Sequence, residues 1–336
     1  MLSVKNVSDE VPWVEKYRPN NLEDIISQKH IVHTISAFLK KYKSLPHMIF
    51  YGPSGTGKTS TIIACIKQLF GNDKFDFLSL NASDERGVDT VRQRIKKFSE
   101  TKKLFSDKNN EEIPKIVILD EADSMTEEAQ FSLRQLLVNY TSTVRFCIIC
   151  NYIHKILPEI QSRCCNFRFI PIQNNYIKNH LIDICEKENI KYKEEGLLDI
   201  INMSKGDLRK IINVLQTVYL IDNEITLDNV NRITNYPKKN IFSEIIYLCS
   251  NNSDLNISYN KCNDIIIRNG FSVSSIFEKL VDYLFNIYLP TDLTNTLISE
   301  LSNIERKLAL KYYNNNTLFI NIISIIYKII IYLSKY

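Results

Sequence analysis

The chain has 336 residues, 44% of them hydrophobic, which is enough apolar material for two or three domains with cores of their own. Its 42 basic and 38 acidic residues leave a net charge of +4, which excludes bulk charge as the means of holding nucleic acid, so any such contact must come from local patterning. Eight cysteines lie scattered, several in apolar runs and with no secretory leader ahead of them, a usage that predicts reduced thiols in cytosol or nucleus.

The first informative run is Met48-Ile49-Phe50-Tyr51, followed by Gly52-Pro53-Ser54-Gly55-Thr56-Gly57-Lys58-Thr59 and a helix-like stretch from Ser60 to Ala64. Strand, loop and helix in that order are the context a Walker A phosphate cradle requires. The glycines let backbone N–H groups turn inward around the β- and γ-phosphates, where the positive end of the following helix also lies. Lys58 supplies charge to the phosphates and Thr59 a hydroxyl to Mg²⁺, while Gly52, Pro53, Ser54, Gly55, Thr56, Gly57 and Ser60 complete the cradle. The competing reading, a glycine-rich surface loop, leaves the flanking strand and helix unexplained.

From Arg86 the pattern turns helical, with Val88, Val91, Ile95 and Phe98 on an apolar stripe and Arg92, Arg94, Lys96 and Lys97 elsewhere. That basic face either tracks a phosphate backbone or is simply solvated. After a polar stretch comes Ile116-Val117-Ile118-Leu119-Asp120-Glu121, four apolar residues ending in paired carboxylates. This predicts a central parallel strand whose carboxyl end meets the phosphate crevice. Asp120 is the candidate to hold hydrated Mg²⁺, and Glu121, on the other side of the pleat, to polarise a water in line with the γ-phosphate. The alternative is a strand followed by an acidic helix cap, which Ser124 and Glu127-Glu128 support.

Gln130 and Arg134, four apart on the next helix, share a side and read either as ordinary surface polarity or as a relay to Glu121. A third strand, Arg145 to Cys150, ends at Asn151, whose amide is placed to bond the γ-phosphate or its attacking water; a plain turn residue is the other reading. Cys147 and Cys150 form a CxxC without a second pair to complete a zinc site, so both are read as core.

Alternating strands and helices to residue 167 predict an α/β domain built on a RecA-like parallel sheet. Residues 168–234 predict a small helical domain, with Leu181, Ile184 and Cys185 on one helix face and Ile211, Val214, Leu215 and Val218 on another. Residues 235–336 are almost wholly helical. The run from Leu318 to Leu333 resembles a tail anchor, but it falls short of the ~20 apolar residues a membrane helix wants and contains Asn321 and Lys328. A helix buried between subunits is therefore expected there, and no membrane partner.

Trp13-Val14-Glu15-Lys16-Tyr17-Arg18-Pro19, Asn81-Ala82-Ser83-Asp84-Glu85-Arg86-Gly87, Ser162-Arg163-Cys164 and Gly206-Asp207-Leu208-Arg209 occur in this order around the two Walker motifs. Together they resemble the boxes of a small subunit of replication factor C, the eukaryotic sliding-clamp loader of the AAA+ class. The likeness runs motif by motif over roughly the first two thirds of the chain and by helical character beyond. It implies an AAA+ RecA-like domain (1–167), a helical lid (168–234) and an all-helical collar (235–336) that joins five subunits.

The resemblance implies ATP and Mg²⁺ as cofactors, with Val14, Tyr17, Arg18 and Pro19 at the adenine and ribose end. It makes Asn151 the sensor 1 residue, Arg209 the sensor 2 arginine of the lid, and Arg163 the arginine presented in trans to a neighbouring subunit's nucleotide. Lys210 stands where the family usually has a second Arg, and Lys cannot reproduce the planar bidentate fork. Arg86 and Arg92 become candidates for contact with the backbone of primer-template DNA, and Leu104 and Phe105 for the sliding clamp. The implied activity is ATP-driven opening and loading of the clamp in replication and repair, within a nuclear hetero-pentamer. Two readings stay open beside it: an AAA+ remodeller of protein or branched DNA, and a mainly structural nucleotide-binding subunit, against which the intact Lys58, Asp120 and Glu121 argue.

Overall fold

Short apolar runs build the central sheet: β1 (Met48–Tyr51), β2 (Phe77–Asn81), β3 (Lys115–Asp120), β4 (Val144–Cys150) and β5 (Cys165–Arg168). The computed structural model describes residues 11–42, 45–70, 77–82, 88–101, 114–234, 239–251, 254–310 and 314–333; the expectations for Arg86, Leu104 and Phe105 lie outside them. All neighbouring strands are parallel, in the order β2-β3-β4-β1-β5. Ile148 is in register with both Ile49 and Leu119, so β1, β3 and β4 reach the same edge together.

Helices α1 (Trp13–Lys16), α2 (Lys29–Tyr42), α3 (Lys58–Phe70), α4 (Val88–Glu100), α5 (Glu127–Asn139) and α6 (Pro158–Gln161) accompany the sheet. Side chains alternate along a strand, and β1 uses both faces. Met48 and Phe50 join Ile31, Ile35 and Ile62 of α2 and α3, while Ile49 joins Ile95, Leu133 and Leu137 of α4 and α5. Ile148 is wholly buried in the second layer, and cutting it to Ala costs about 2–5 kcal/mol. Cys147 and Cys150 are buried core thiols, as read from the sequence.

A buried lysine fixes the basic helix to the sheet. Lys115 Nζ, at the start of β3, donates to Phe98 O (2.7 Å), Thr101 O (2.6 Å) and Thr101 Oγ1 (2.6 Å). These acceptors gather at the C-terminal end of α4, where a cation also meets the negative end of the helix dipole. Ile95 is buried, and Arg92, Arg94, Lys96 and Lys97 face solvent.

Beyond the sheet come α7 (Asn174–Lys187), α8 (Glu194–Ser204) and α9 (Leu208–Asp222), with the short parallel pair β6 (Lys191–Tyr192) and β7 (Glu224–Ile225). Leu181, Ile184 and Cys185 are buried on α7, and Ile211, Leu215 and Val218 on α9, the faces that helical spacing predicts.

The chain divides into two compact units, Met1–Thr226 and Leu227–Tyr336. The second contains α10 (Leu227–Thr234), α11 (Lys239–Asn251), α12 (Leu255–Asn269), α13 (Val273–Phe285), α14 (Thr291–Leu310) and α15 (Asn315–Leu333). Among the described residues α15 is the one helix long and apolar enough to cross a membrane. Its Phe319, Ile322, Ile323 and Ile326 pack with Ile245, Cys262, Ile276 and Ile304, so these positions fill a core within this one chain and not a seam between subunits, while Ile320 and Ile331 are exposed.

Candidate active site

The loop between β1 and α3 turns on glycine. Gly52 has φ +140°, and a Cβ there would stand 2.2 Å from the Phe169 carbonyl oxygen; Gly55 has φ +67°, and its Cβ would stand 1.9 Å from Asp207 Oδ1. Neither site has room for a side chain, and neither backbone conformation suits one. At the start of α3 the first amides have no intrahelical acceptor and point into the turn, together with the positive end of the helix.

Lys58 is buried within this turn. Its Nζ donates to Gly52 O (2.8 Å), Pro53 O (2.7 Å) and Asn151 Oδ1 (3.1 Å), so Gly52 and Pro53 hold the lysine while the rest of the loop lines the cleft. Burial pushes the ammonium's pKa down, Asp120 pulls it up, and the charge of Arg209 adds to the lowering.

Thr59 Oγ1 donates to Asp120 Oδ2 at 2.9 Å, and the other carboxylate oxygen accepts from Glu121 N at 2.9 Å. A hydroxyl and a hard carboxylate in contact beside a loop of free amides are the donor set that a magnesium triphosphate needs. The residues present therefore fit that group.

Glu121 corrects one expectation. It does not sit across the pleat from Asp120, because the strand has ended and the residue turns through φ +53°, ψ +37°. A non-glycine residue in the left-handed region is uncommon, and such positions cluster at functional sites. The turn, not strand alternation, carries its carboxylate into the cleft. The acidic cap reading holds in part: Glu121 opens the 3-10 turn Ala122–Ser124 without a side-chain cap bond, and Glu127 and Glu128 stand in the first turn of α5, whose cap is Thr126, accepting from Ala129 N.

The cleft gathers Val14, Tyr17, Arg18 and Pro19 with Ser54, Gly55, Thr56, Gly57, Lys58, Thr59 and Ser60, and with Asp120, Glu121, Asn151 and Arg209. Sequence reasoning missed Ile25, Ile26, Ile172, Leu208 and Ile212, which also line it. Apart from Leu208, which lies in the Gly206-Asp207-Leu208-Arg209 motif, no local signal marks them, because they meet only through tertiary contacts. Gln28 Nε2, for example, donates to Ile170 O at 2.8 Å, tying the Ile25-Ile26 segment to the chain beyond β5.

The N-terminal arm both lines the cleft and packs on the small domain. Trp13 N donates to Gln216 Oε1 (3.1 Å), and its ring stacks on Tyr219 with centroids 5.3 Å apart. The Tyr17 hydroxyl donates to Glu188, which also receives Lys16 Nζ at 2.5 Å. Burial, reinforced by that carboxylate, drives the phenol's pKa upward.

Arg209 is the second residue of α9, whose N-cap is Asp207. Lys210 turns outward, exposed, with Nζ 3.5 Å from Met203 O. Arg163 is not in this cleft: it is exposed just past α6, its Nη1 donating to Glu159 O at 2.8 Å. Arg92 likewise does not line the cleft and is exposed on α4.

Gln130 is not surface polarity. It is buried, donating to Lys155 O (2.9 Å) and accepting from Leu157 N (2.8 Å), so its amide bridges α5 to the segment before α6. With both ends held by backbone, it is a strut.

Comparison with known proteins agrees with this layout. Residues 48–172 match the ATPase family associated with various cellular activities (AAA), residues 174–232 the RFC1-like AAA+ ATPase lid domain, and residues 237–310 the replication factor C C-terminal domain. The probable replication factor C subunit 5 of Dictyostelium discoideum is 41% identical over 306 residues, covering 90% of this chain and 86% of the relative. Replication factor C subunit 3 of Oryza sativa subsp. japonica is 39% identical over 300 residues, covering 89% and 82%. Replication factor C subunit 5 of Homo sapiens is 37% identical over 301 residues, covering 89% and 86%.

Proposed function

Because the chain belongs to the replication factor C family of AAA+ ATPases, we propose that it acts as a small subunit of a hetero-pentameric clamp loader, opening a sliding clamp and loading it onto primer-template DNA. Its likeness to relatives named subunit 5 in Dictyostelium, nematode, human, mouse and Arabidopsis, beside relatives named subunit 3 in rice and fission yeast, supports the small subunit called five in the vertebrate scheme as its place. The observation that carries this reading is the convergence of Lys58, Thr59, Asp120, Glu121, Asn151 and Arg209 on one cleft. ATP with Mg²⁺ supplies the chemical energy.

In this reading Lys58 and the loop amides bind the β- and γ-phosphates, and Thr59 and Asp120 hold the hydrated metal. Glu121 takes a proton from the attacking water and Asn151 orients it. Val14, Tyr17, Arg18 and Pro19 enclose the base and ribose. Arg209 meets the γ-phosphate in cis, while Arg163, which is exposed and does not line its own cleft, completes the site of the next subunit. The outward course of Lys210 supports a lid that works with one arginine.

The domain limits we propose are 1–167 for the RecA-like domain, 168–234 for the lid and 235–336 for the collar. Arg86 and Arg92 are assigned to the DNA backbone, and the nucleus is the assigned compartment. The exposed basic face of α4 supports the DNA assignment.

The test is to co-purify the chain, identify its companions by mass spectrometry and assay ring loading onto primed DNA. ATP-dependent loading is expected. An assembly whose ATPase does not respond jointly to the clamp and the primer-template junction would instead be an AAA+ remodeller.

A further inference from the structure

We propose that Ser54 and Asp207 form a joint through which the phosphate loop sets the position of the lid, making Asp207 a positioning residue for Arg209. Ser54 Oγ donates to Asp207 Oδ2 at 2.7 Å. Asp207 Oδ1 accepts from Lys210 N at 3.2 Å, closing the first turn of α9 around Arg209. Leu208 N donates to Gly55 O at 3.3 Å. Gly55 lies so near Asp207 that it has no space for a Cβ.

One carboxylate thus divides its oxygens between the loop and the lid helix. Arg209 lies two residues beyond it, within the same capped turn, so a displacement of Ser54 moves the guanidinium through a single side chain. Asp207 does not itself line the cleft, so it acts through Arg209. The inference rests on the reading that Arg209 engages the triphosphate end.

The experiment is calorimetric titration of the full chain with a non-hydrolysable ATP analogue and with ADP, for the wild type, S54A, D207A, the double variant, D207N and R209A. S54A and D207A should each weaken analogue binding by about threefold to tenfold, the worth of one hydrogen bond, and weaken ADP binding less. The double variant should be no weaker than the weaker single, because both remove the same link. D207N, which keeps an N-cap acceptor, should recover most of the loss.

A role confined to capping α9 would lower the melting temperature of D207A without changing the preference for analogue over ADP, and would leave S54A at wild-type preference. That result, or additive losses in the double variant, overturns the joint. If R209A alone loses the preference, the joint fails while the reading of Arg209 stands; if R209A keeps it, both fall.

Discussion

Thr59 Oγ1 and Asp120 Oδ2 are 2.9 Å apart although 61 residues separate them in the chain. The first turn of α3 and the end of β3 bring the hydroxyl and the carboxylate into contact. Asp120→Asn keeps an oxygen for that bond but loses the charge a hydrated Mg²⁺ needs. Calorimetry should find that Mg²⁺ no longer tightens binding of an ATP analogue to this variant, with metal-free binding nearly unchanged. Equal loss with and without Mg²⁺ would remove Asp120 from the metal site.

Glu121→Gln preserves size and hydrogen bonding but removes the base. In the assembled complex, turnover at this chain's site should fall by about a hundredfold or more while analogue affinity stays within twofold. Single-turnover hydrolysis against equilibrium binding separates the two effects. A parallel loss of binding would mean that the residue supports the turn and not the chemistry.

Arg163→Ala should leave nucleotide binding by the isolated chain untouched, since the residue is exposed and outside its own cleft. Within the pentamer, hydrolysis at the neighbouring site should drop roughly a thousandfold, the scale of a lost arginine finger. Weakened binding in the isolated chain would contradict the trans assignment.

His47 gives the fold a pH dependence. Its Nδ1 accepts from Phe146 N at 3.1 Å, and burial, helped by nearby Arg145, lowers its pKa from 6.5 to about 4. Between those values the unfolded chain binds a proton that the folded chain refuses, so stability is intact above pH 6.5 and falls as the pH drops toward 4. Thermal melts from pH 7 to pH 5 should fall more steeply for the wild type than for His47→Gln. Parallel curves would dismiss the histidine as the cause.

What the sequence made legible was local chemistry. Gly52 to Thr59 announced a phosphate loop, and four apolar residues before Asp120 announced a central strand, because both signals lie within a few consecutive positions. Leu181, Ile184 and Cys185 betrayed a buried face by spacing alone. Strand order was out of reach, since placing β4 between β1 and β3 depends on pairing residues such as Ile148 with distant Ile49 and Leu119. Gln130 looked like surface polarity because spacing carries no information about which carbonyls a side chain will meet. Glu121 departs from strand alternation for a related reason: β3 ends at Asp120 and the backbone turns left-handed at the next residue, which no local pattern encodes.

Trp13 is the chain's one tryptophan, and its indole stacks on Tyr219 of the helix that begins with Leu208 and Arg209. The molecule therefore carries its own optical reporter, an emitting ring stacked on the helix that presents Arg209, which needs no dye and no engineered cysteine. Stopped-flow records of that native emission can time what nucleotide does at the Trp13–Tyr219 contact in the working assembly, provided the companion chains are made free of tryptophan.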